Sequence, residues 1–321
     1  MKSETKIRLQ QLFPRLLLLA VLAFMIILLD RLSPFFLTWS NMRNILDQAS
    51  LYIVLSVGMT FVICSGGIDL SIGSIVAMSG VIMAMCMKAG ISIGLAICLG
   101  LASGAVIGLI NGILISFANI NPFIVTLSIM SVIRGTSLLM TNGRPIYGFE
   151  EAFKFWGSGN IGPINPPILI SLILVTLGIL LLTSTRWGNY SLVLGSNEEA
   201  LRRTGVNVKL YKTSIYVFCG ICAAIAGFIV CARLNTAEPL AGWAYEMDAI
   251  AAVVLGGADM RGGRGSVFGT FIACLVLAVM QNGLTILSIS SNYQQVLTGI
   301  IIILAVAVSE FKRRNSKASV S

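Results

Sequence analysis

The stretch ISIGLAICLGLASGAVIGLINGILISF, residues 91–117, contains no Asp, Glu, Lys or Arg. A helix needs about 20 consecutive apolar residues to cross a bilayer, and this run exceeds that length. Within it, Gly100, Gly104, Gly108 and Gly112 recur every fourth position and form one bare stripe on a helix. Such a chained G-x-x-x-G lets two backbones approach closely in lipid. The stretch therefore reads as a packed membrane helix. Gly265 and Gly269 repeat the spacing once.

The rest of the chain has the same character. Of 321 residues 56% are hydrophobic and 11% charged, and the mean hydropathy is +0.91. Soluble domains carry about 25% charged residues. A chain with so little charge and so much apolar surface is neither soluble nor disordered. Roughly 180 apolar residues and the glycines supply about nine to eleven membrane helices.

Apolar length places spans at about 14–36, 45–64, 70–87, 91–117, 121–141, 168–184, 213–233, 245–257, 266–287 and 293–310. The expected fold is an all-α polytopic membrane protein of about ten transmembrane helices, forming a single domain over 1–321. The basic N-terminus and first apolar run resemble a signal peptide. No small-residue cleavage site follows, and the run reads as an uncleaved first helix.

Lys and Arg collect on the cytoplasmic side. With the N-terminus inside, that side receives Lys2, Lys6, Arg8 and Arg15, then Arg186, Arg202, Arg203, Lys209 and Lys212, then Arg261 and Arg264, and finally Lys312, Arg313, Arg314 and Lys317. These are 15 of the 22 basic residues, and they support an N-in, C-in topology with an even number of spans. Segment 185–212 is then cytoplasmic and the loop 142–167 extracytoplasmic. A nucleic-acid binder would gather its charges on one face; here they form short islands, and no nucleic-acid partner is expected.

Motifs for chemistry are absent. The chain has no His and no phosphate-loop sequence. Gly157, Gly159 and Gly162 spell G-x-G-x-x-G, but the match runs into Pro163 and opens no helix. Cys219 and Cys222 read as two small apolar residues one turn apart. No catalytic residue, metal or cofactor is expected in this chain.

Four segments carry candidate function. SGGIDLSIGS, residues 65–74, places Asp69 between two spans. It reads as a broken helix lining a substrate path, or as a loop whose Asp caps the next helix; the two readings are compatible. VLGGADMRGGRGSVFG, residues 254–269, sets Asp259, Arg261 and Arg264 among glycines and is either a partner contact or a plain cytoplasmic turn. GGIDL and GGADM echo one another, as internal repeats in transporters do, and point to a pseudo-repeat of the two halves. Between the sixth and seventh spans, Asn197 to Arg203 reads as a short surface helix capped by Asn197 and stopped by Gly205, with Glu198–Arg202 and Glu199–Arg203 pairs. It suits docking of another protein, or an interfacial helix on anionic lipid.

These blocks, together with NGILI at 111–115 and NPFIVTLSIM at 121–130, resemble in order the permeases of bacterial ABC importers for ribose, xylose and galactosides, a branch that includes the autoinducer-2 permeases. The resemblance runs from about residue 40 to 309. It implies a permease subunit in the bacterial cytoplasmic (inner) membrane, surrounded by lipid and paired with a second permease copy as a homo- or heterodimer. A cytoplasmic ABC ATPase would bind ATP and magnesium, and a periplasmic or lipid-anchored binding protein would deliver a monosaccharide. The segment around Gly195, Asn197, Glu198, Glu199, Ala200, Arg202, Arg203 and Gly205 would be the coupling helix. It carries Glu199-Ala200 where two alanines are commoner, which would tune partner choice.

The path would be lined by Asp69, Asn111, Asn121, Gln281 and Asn282. The spans offer little aromatic stacking and few converging carboxylates, so specificity is expected in the binding protein. Autoinducer-2 or another small polar solute is an alternative cargo. A stand-alone secondary transporter would need membrane carboxylates, for which the sequence offers Asp69 and Asp259.

Overall fold

The computed structural model describes residues 2–290 together with 293, 296, 297, 299, 300 and 303, with side chains from residue 16 onward. The tenth span expected at 293–310 and the tail bearing Lys312, Arg313, Arg314 and Lys317 lie outside the described residues apart from those few positions. Among the described residues eleven helices form: α1 (Lys2–Leu32), α2 (Trp39–Cys64), α3 (Ile72–Lys88), α4 (Ile93–Ser116), α5 (Pro122–Thr141), α6 (Glu151–Ser158), α7 (Pro166–Ser184), α8 (Arg186–Arg203), α9 (Val208–Leu234), α10 (Tyr245–Leu255) and α11 (Val267–Ile286). Six of the described helices, α2, α4, α5, α7, α9 and α11, are long and apolar enough to cross a membrane. The protein is a helical, polytopic membrane protein.

Local chemistry sets the helix ends. The Thr38 hydroxyl accepts the Asn41 N–H at the start of α2, and Asn121 caps α5 ahead of Pro122. Asn142 and Asn235 end α5 and α9 in the left-handed conformation, which Asn tolerates. α1 stops at Leu32, ahead of Ser33-Pro34, because the residue before a proline is pushed out of the helical region.

The glycine stripe of α4 lies mostly against α9. A Cβ at Gly104 would sit 2.4 Å from Gly220 O, one at Gly108 2.3 Å from Tyr216 O, and one at Gly112 2.6 Å from Thr213 Cα; Gly100 meets Met83 of α3 instead. The two helices run antiparallel with backbones almost touching. Farther along α9, Gly227 meets Val76 and Gly80 meets Cys231, so α3 runs parallel to α9. These levels place the first turn of α3 about 20 Å along α9 at 1.5 Å per residue. The chain climbs to that point without a helix through residues 65–71.

α10 is the second short element. At 11 residues it spans about 16 Å, half of a hydrocarbon core of about 30 Å. The eighth span expected at 245–257 is thus no full crossing helix. Residues 235–244 re-enter the bundle as loop, and α10 completes the passage. The expected run is itself only 13 residues, short of the roughly 20 that a crossing helix needs. The two short helices meet at their N-terminal ends: a Cβ at Gly73 would lie 2.2 Å from Gly242 O.

At the bundle end opposite α8, a two-stranded ribbon pairs Ile146 with Ala237 and Tyr147 with Thr236, and α6 packs Gly157 onto the Arg233 backbone. The strand Ile146–Tyr147 and α6 lie within residues 142–167.

Candidate coupling surface and translocation path

α8 is two helices joined at a break. Asn197 adopts φ −160° and ψ 89°, and its side-chain oxygen accepts the Ala200 N–H at 2.9 Å, so it caps the second piece. Gly205, at φ +82°, closes that piece by donating its N–H to Arg202 O at 3.1 Å. The first piece is held firmly: Trp187 packs against both Phe61 and Phe218 with ring centroids 4.8 and 5.5 Å away, and its Nε1 donates to the Ser214 hydroxyl at 2.8 Å. The second piece is anchored by buried Leu201 and otherwise faces outward; Arg202 and Arg203 are 70% and 78% exposed.

The charge pairing differs from the sequence expectation in one respect. Glu199 takes both Arg203 (3.2 Å) and Arg202 (2.6 Å), whereas Glu198 reaches Lys212 on α9. The expected Glu198–Arg202 pair does not form among the described residues, because the turn to α9 brings Lys212 closer. Hydrogen bonds from both arginines hold the Glu199 carboxyl below its usual range.

Three segments meet beneath this helix through bare backbone. A Cβ at Gly195 would lie 2.1 Å from Cys64 O and 2.4 Å from Gly263 N; one at Gly262 would lie 2.6 Å from both Gly195 Cα and Gly66 N. Gly263 N donates to Cys64 O at 2.8 Å. The α8 break thus sits directly on the end of α2 and on the loop after α10. That loop is drawn in by its own bonds: Asp259 accepts the Arg261 N–H at 3.0 Å, and Asp259 N donates to Arg264 O.

The GGIDL–GGADM echo has a local structural counterpart, shifted by one residue. Gly66 N donates to Ile63 O and Gly67 N to Val62 O; Gly257 N donates to Val254 O and Ala258 N to Val253 O. Both helices end in the same 6→1 and left-handed glycine pattern, with Gly66 at φ +80° and Gly257 at φ +97°. Each is followed by an Asp that accepts the N–H two residues on.

The other sequence-selected polar residues fall in separate places. Asp69 is wholly buried; its Oδ1 accepts from Ser71 N (2.9 Å) and Ser71 Oγ (2.6 Å), and Asn111 donates to that same Oγ at 2.8 Å. The Asp69–Ser71–Asn111 chain ties the unwound stretch to α4. Asn121 is spent on the α5 cap. Asn282 exchanges two hydrogen bonds with Asn41, at 2.9 and 3.0 Å, joining α11 to α2. Gln281 lies near the Tyr52 hydroxyl.

Around Tyr52 the fold gathers residues that the sequence reading passed over. Tyr52 and Tyr245 stand edge to face, with centroids 5.6 Å apart. Asp248 lies within electrostatic reach of both, and Glu246 lies beside Asp248. Arg134 of α5 faces Glu246 and donates to Pro239 O and Ala241 O at 3.1 and 2.6 Å, pinning the re-entrant loop. Buried or half-buried carboxylates within the helix bundle are therefore not limited to Asp69. The signal was present: Glu246 and Asp248 open an apolar span, and Arg134 interrupts one.

A family model described as "branched-chain amino acid transport system / permease component" matches residues 41–306. The chain is 40% identical over 299 residues to the ribose import permease protein RbsC of Escherichia coli (strain K12), covering 92% of this chain and 93% of the relative. It is 36% identical to the D-allose transport system permease protein AlsC of the same strain (90% and 89% covered). It is 34% identical to the galactose/methyl galactoside import permease protein MglC of Salmonella typhimurium (94% of each). No solved structure matches the chain.

Proposed function

The chain belongs to this family of transport-system permease components, and from that premise we propose that it is the membrane subunit of an ATP-driven importer for a monosaccharide. It is a multi-pass protein of the bacterial inner membrane. The observation that carries the proposal is its similarity, over about nine-tenths of both lengths, to permeases named for ribose, allose and galactose.

In this reading the N-terminus and the α8 end face the cytoplasm. Residues 65–88 and 235–255 each count as one passage made of loop plus short helix, which keeps the expected number of passages even. A partner ATPase, carrying ATP and magnesium, docks on Glu198, Glu199, Ala200, Arg202 and Arg203. A periplasmic or lipid-anchored binding protein meets the opposite end, and a second permease copy completes the pore.

The contacts support one mechanism. ATP-driven closure of the ATPase pair favours the conformation in which the two α8 helices approach, and the difference in ATP affinity between states supplies the bias. Gly195, Gly66 and Gly262 leave no side chain to absorb that movement. It therefore passes to the end of α2 and the start of the loop before α11, and from there to the short helices α3 and α10, which meet at Gly73 and Gly242.

The test is reconstitution. The chain is purified with its co-isolating ATPase and binding protein, placed in liposomes, and assayed for uptake of labelled D-ribose, with leucine as control solute. ATP-dependent ribose uptake is expected. Uptake driven by an ion gradient, by the chain alone, would overturn the reading in favour of a secondary transporter.

A further inference from the structure

We propose that the permease carries its own transient recognition site for a polyhydroxylated solute at the membrane midplane, built from Tyr52, Arg134, Tyr245, Glu246, Asp248 and Gln281. The proposal rests on the importer reading above and deepens it.

Depth is the first argument. Counted from the helix ends nearest α8, Tyr52, Arg134, Tyr245 and Gln281 each lie about 15–21 Å along their helices, near the centre of a core of about 30 Å. They come from α2, α5, α10 and α11, so no single helix creates the cluster. Transporter sites lie at this depth, where discontinuous helices expose the ends of half-helices. α10 is such a half-helix, and its first turn carries three of the six residues.

Solvation is the second. Glu246 is 9% exposed, Asp248 and Gln281 are half-buried, and neither carboxylate forms an ion pair among the described residues. A carboxylate half-open at the bilayer centre does not face hydrocarbon; it faces water or a polar path. The inventory also fits a sugar. Carboxylates accept from hydroxyls, the Gln281 amide both donates and accepts, and each Tyr supplies an apolar ring with a polar tip.

Backbone construction is the third. Ala244, the residue before α10, is held at φ +64° without a glycine's freedom. Such strain persists only where surrounding structure over-determines it, and it concentrates at functional sites. Gly73 leaves the room that Glu246 occupies: a Cβ there would lie 2.6 Å from Glu246 Oε2. Arg134 fixes the loop carbonyls on the other side. The fold thus holds Glu246 against α3 at the re-entrant turn, two residues before Asp248 on α10.

The test compares uptake of labelled D-ribose, D-allose and D-galactose by the assembled importer in liposomes. Rates are scaled to the amount of intact complex and set beside ATP hydrolysis. Asp248→Asn is expected to lower uptake about fivefold, roughly the rate equivalent of one net hydrogen bond. Tyr52→Phe keeps the ring and removes only a hydroxyl; it is expected to alter the ratio of rates among the three sugars. Wild-type uptake and unchanged ratios in both variants would overturn the site. So would failure of Asp248→Asn to assemble combined with an unaltered Tyr52→Phe. If the wild-type complex moves none of the three sugars, the importer reading for sugars fails instead.

Discussion

Gly195→Ala is the substitution that most directly probes how docking at α8 reaches the membrane. The added Cβ would stand 2.1 Å from Cys64 O, 2.4 Å from Gly263 N and 2.7 Å from Gly262 Cα. Ordinary contacts between such atoms begin near 3.2–3.5 Å, so all three neighbours must retreat by about 1 Å. None is the end of a flexible side chain; all are backbone, and two of them are joined by the 2.8 Å bond from Gly263 N to Cys64 O. Overpacking of this kind costs about 1–3 kcal/mol, and loss of the bond adds about 1 kcal/mol. The break at Asn197 and the outward face of Arg202 and Arg203 are untouched, so docking of the ATPase should survive. The expected outcome is an assembled complex that hydrolyses ATP but moves less sugar per ATP, with a lowered melting temperature. Gly94→Ala serves as control, because nothing lies within 4 Å of its added Cβ. A Gly195→Ala complex with wild-type melting and wild-type sugar-to-ATP ratio would refute the reasoning.

Three further outcomes are expected. Gly104→Leu should separate α4 from α9, since even its Cβ would collide with Gly220 O at 2.4 Å; a loss of several kcal/mol should appear as a lowered detergent melting temperature, and unaltered melting would refute the packing argument. Arg202→Glu with Arg203→Glu removes both partners of Glu199 on an exposed surface; the permease should keep its melting temperature, and ATPase capture should fail. Asp69→Asn retains an acceptor for the two Ser71 bonds and should transport, whereas Asp69→Ala leaves the Ser71 N–H and hydroxyl without their acceptor and should destabilise the bundle by about 1–3 kcal/mol; strongly impaired uptake in a stable Asp69→Asn protein would move Asp69 from scaffold to path.

The bundle was legible wherever one residue type has one physical consequence. Long uncharged runs mark membrane helices because an unpaired charge in lipid is costly. Asn197 and Gly205 mark the ends of the short exposed helix because a cap and a left-handed stop are local properties. The alternation of α4 glycines indicated a close helix contact, although nothing in the spacing named α9 as the partner. At 245–257 the sequence marked a short apolar run that nearly coincides with α10, but not that this run is a half-helix reached through the loop before it, because the course of that loop is set by tertiary contacts. Spacing assigned Glu198 to Arg202, while the fold supplied Lys212 from the next helix.

By itself, the amino-acid sequence determined that this is a multi-pass membrane protein of transport-permease type, with an exposed capped helix between two spans and glycine-rich turns bearing Asp69 and Asp259. These are consequences of length, polarity and backbone preference, which act over a few residues. Tertiary structure alone decided that Gly195, Gly66 and Gly262 converge beneath that helix, that α3 and α10 meet end to end at Gly73 and Gly242, and that Tyr52, Arg134, Tyr245, Glu246, Asp248 and Gln281 share one depth. Those residues lie up to about 230 positions apart in the chain. They come together because the close α4–α9 contact and the re-entrant turn set the level of each helix in the bundle, and no local pattern along the chain encodes that level.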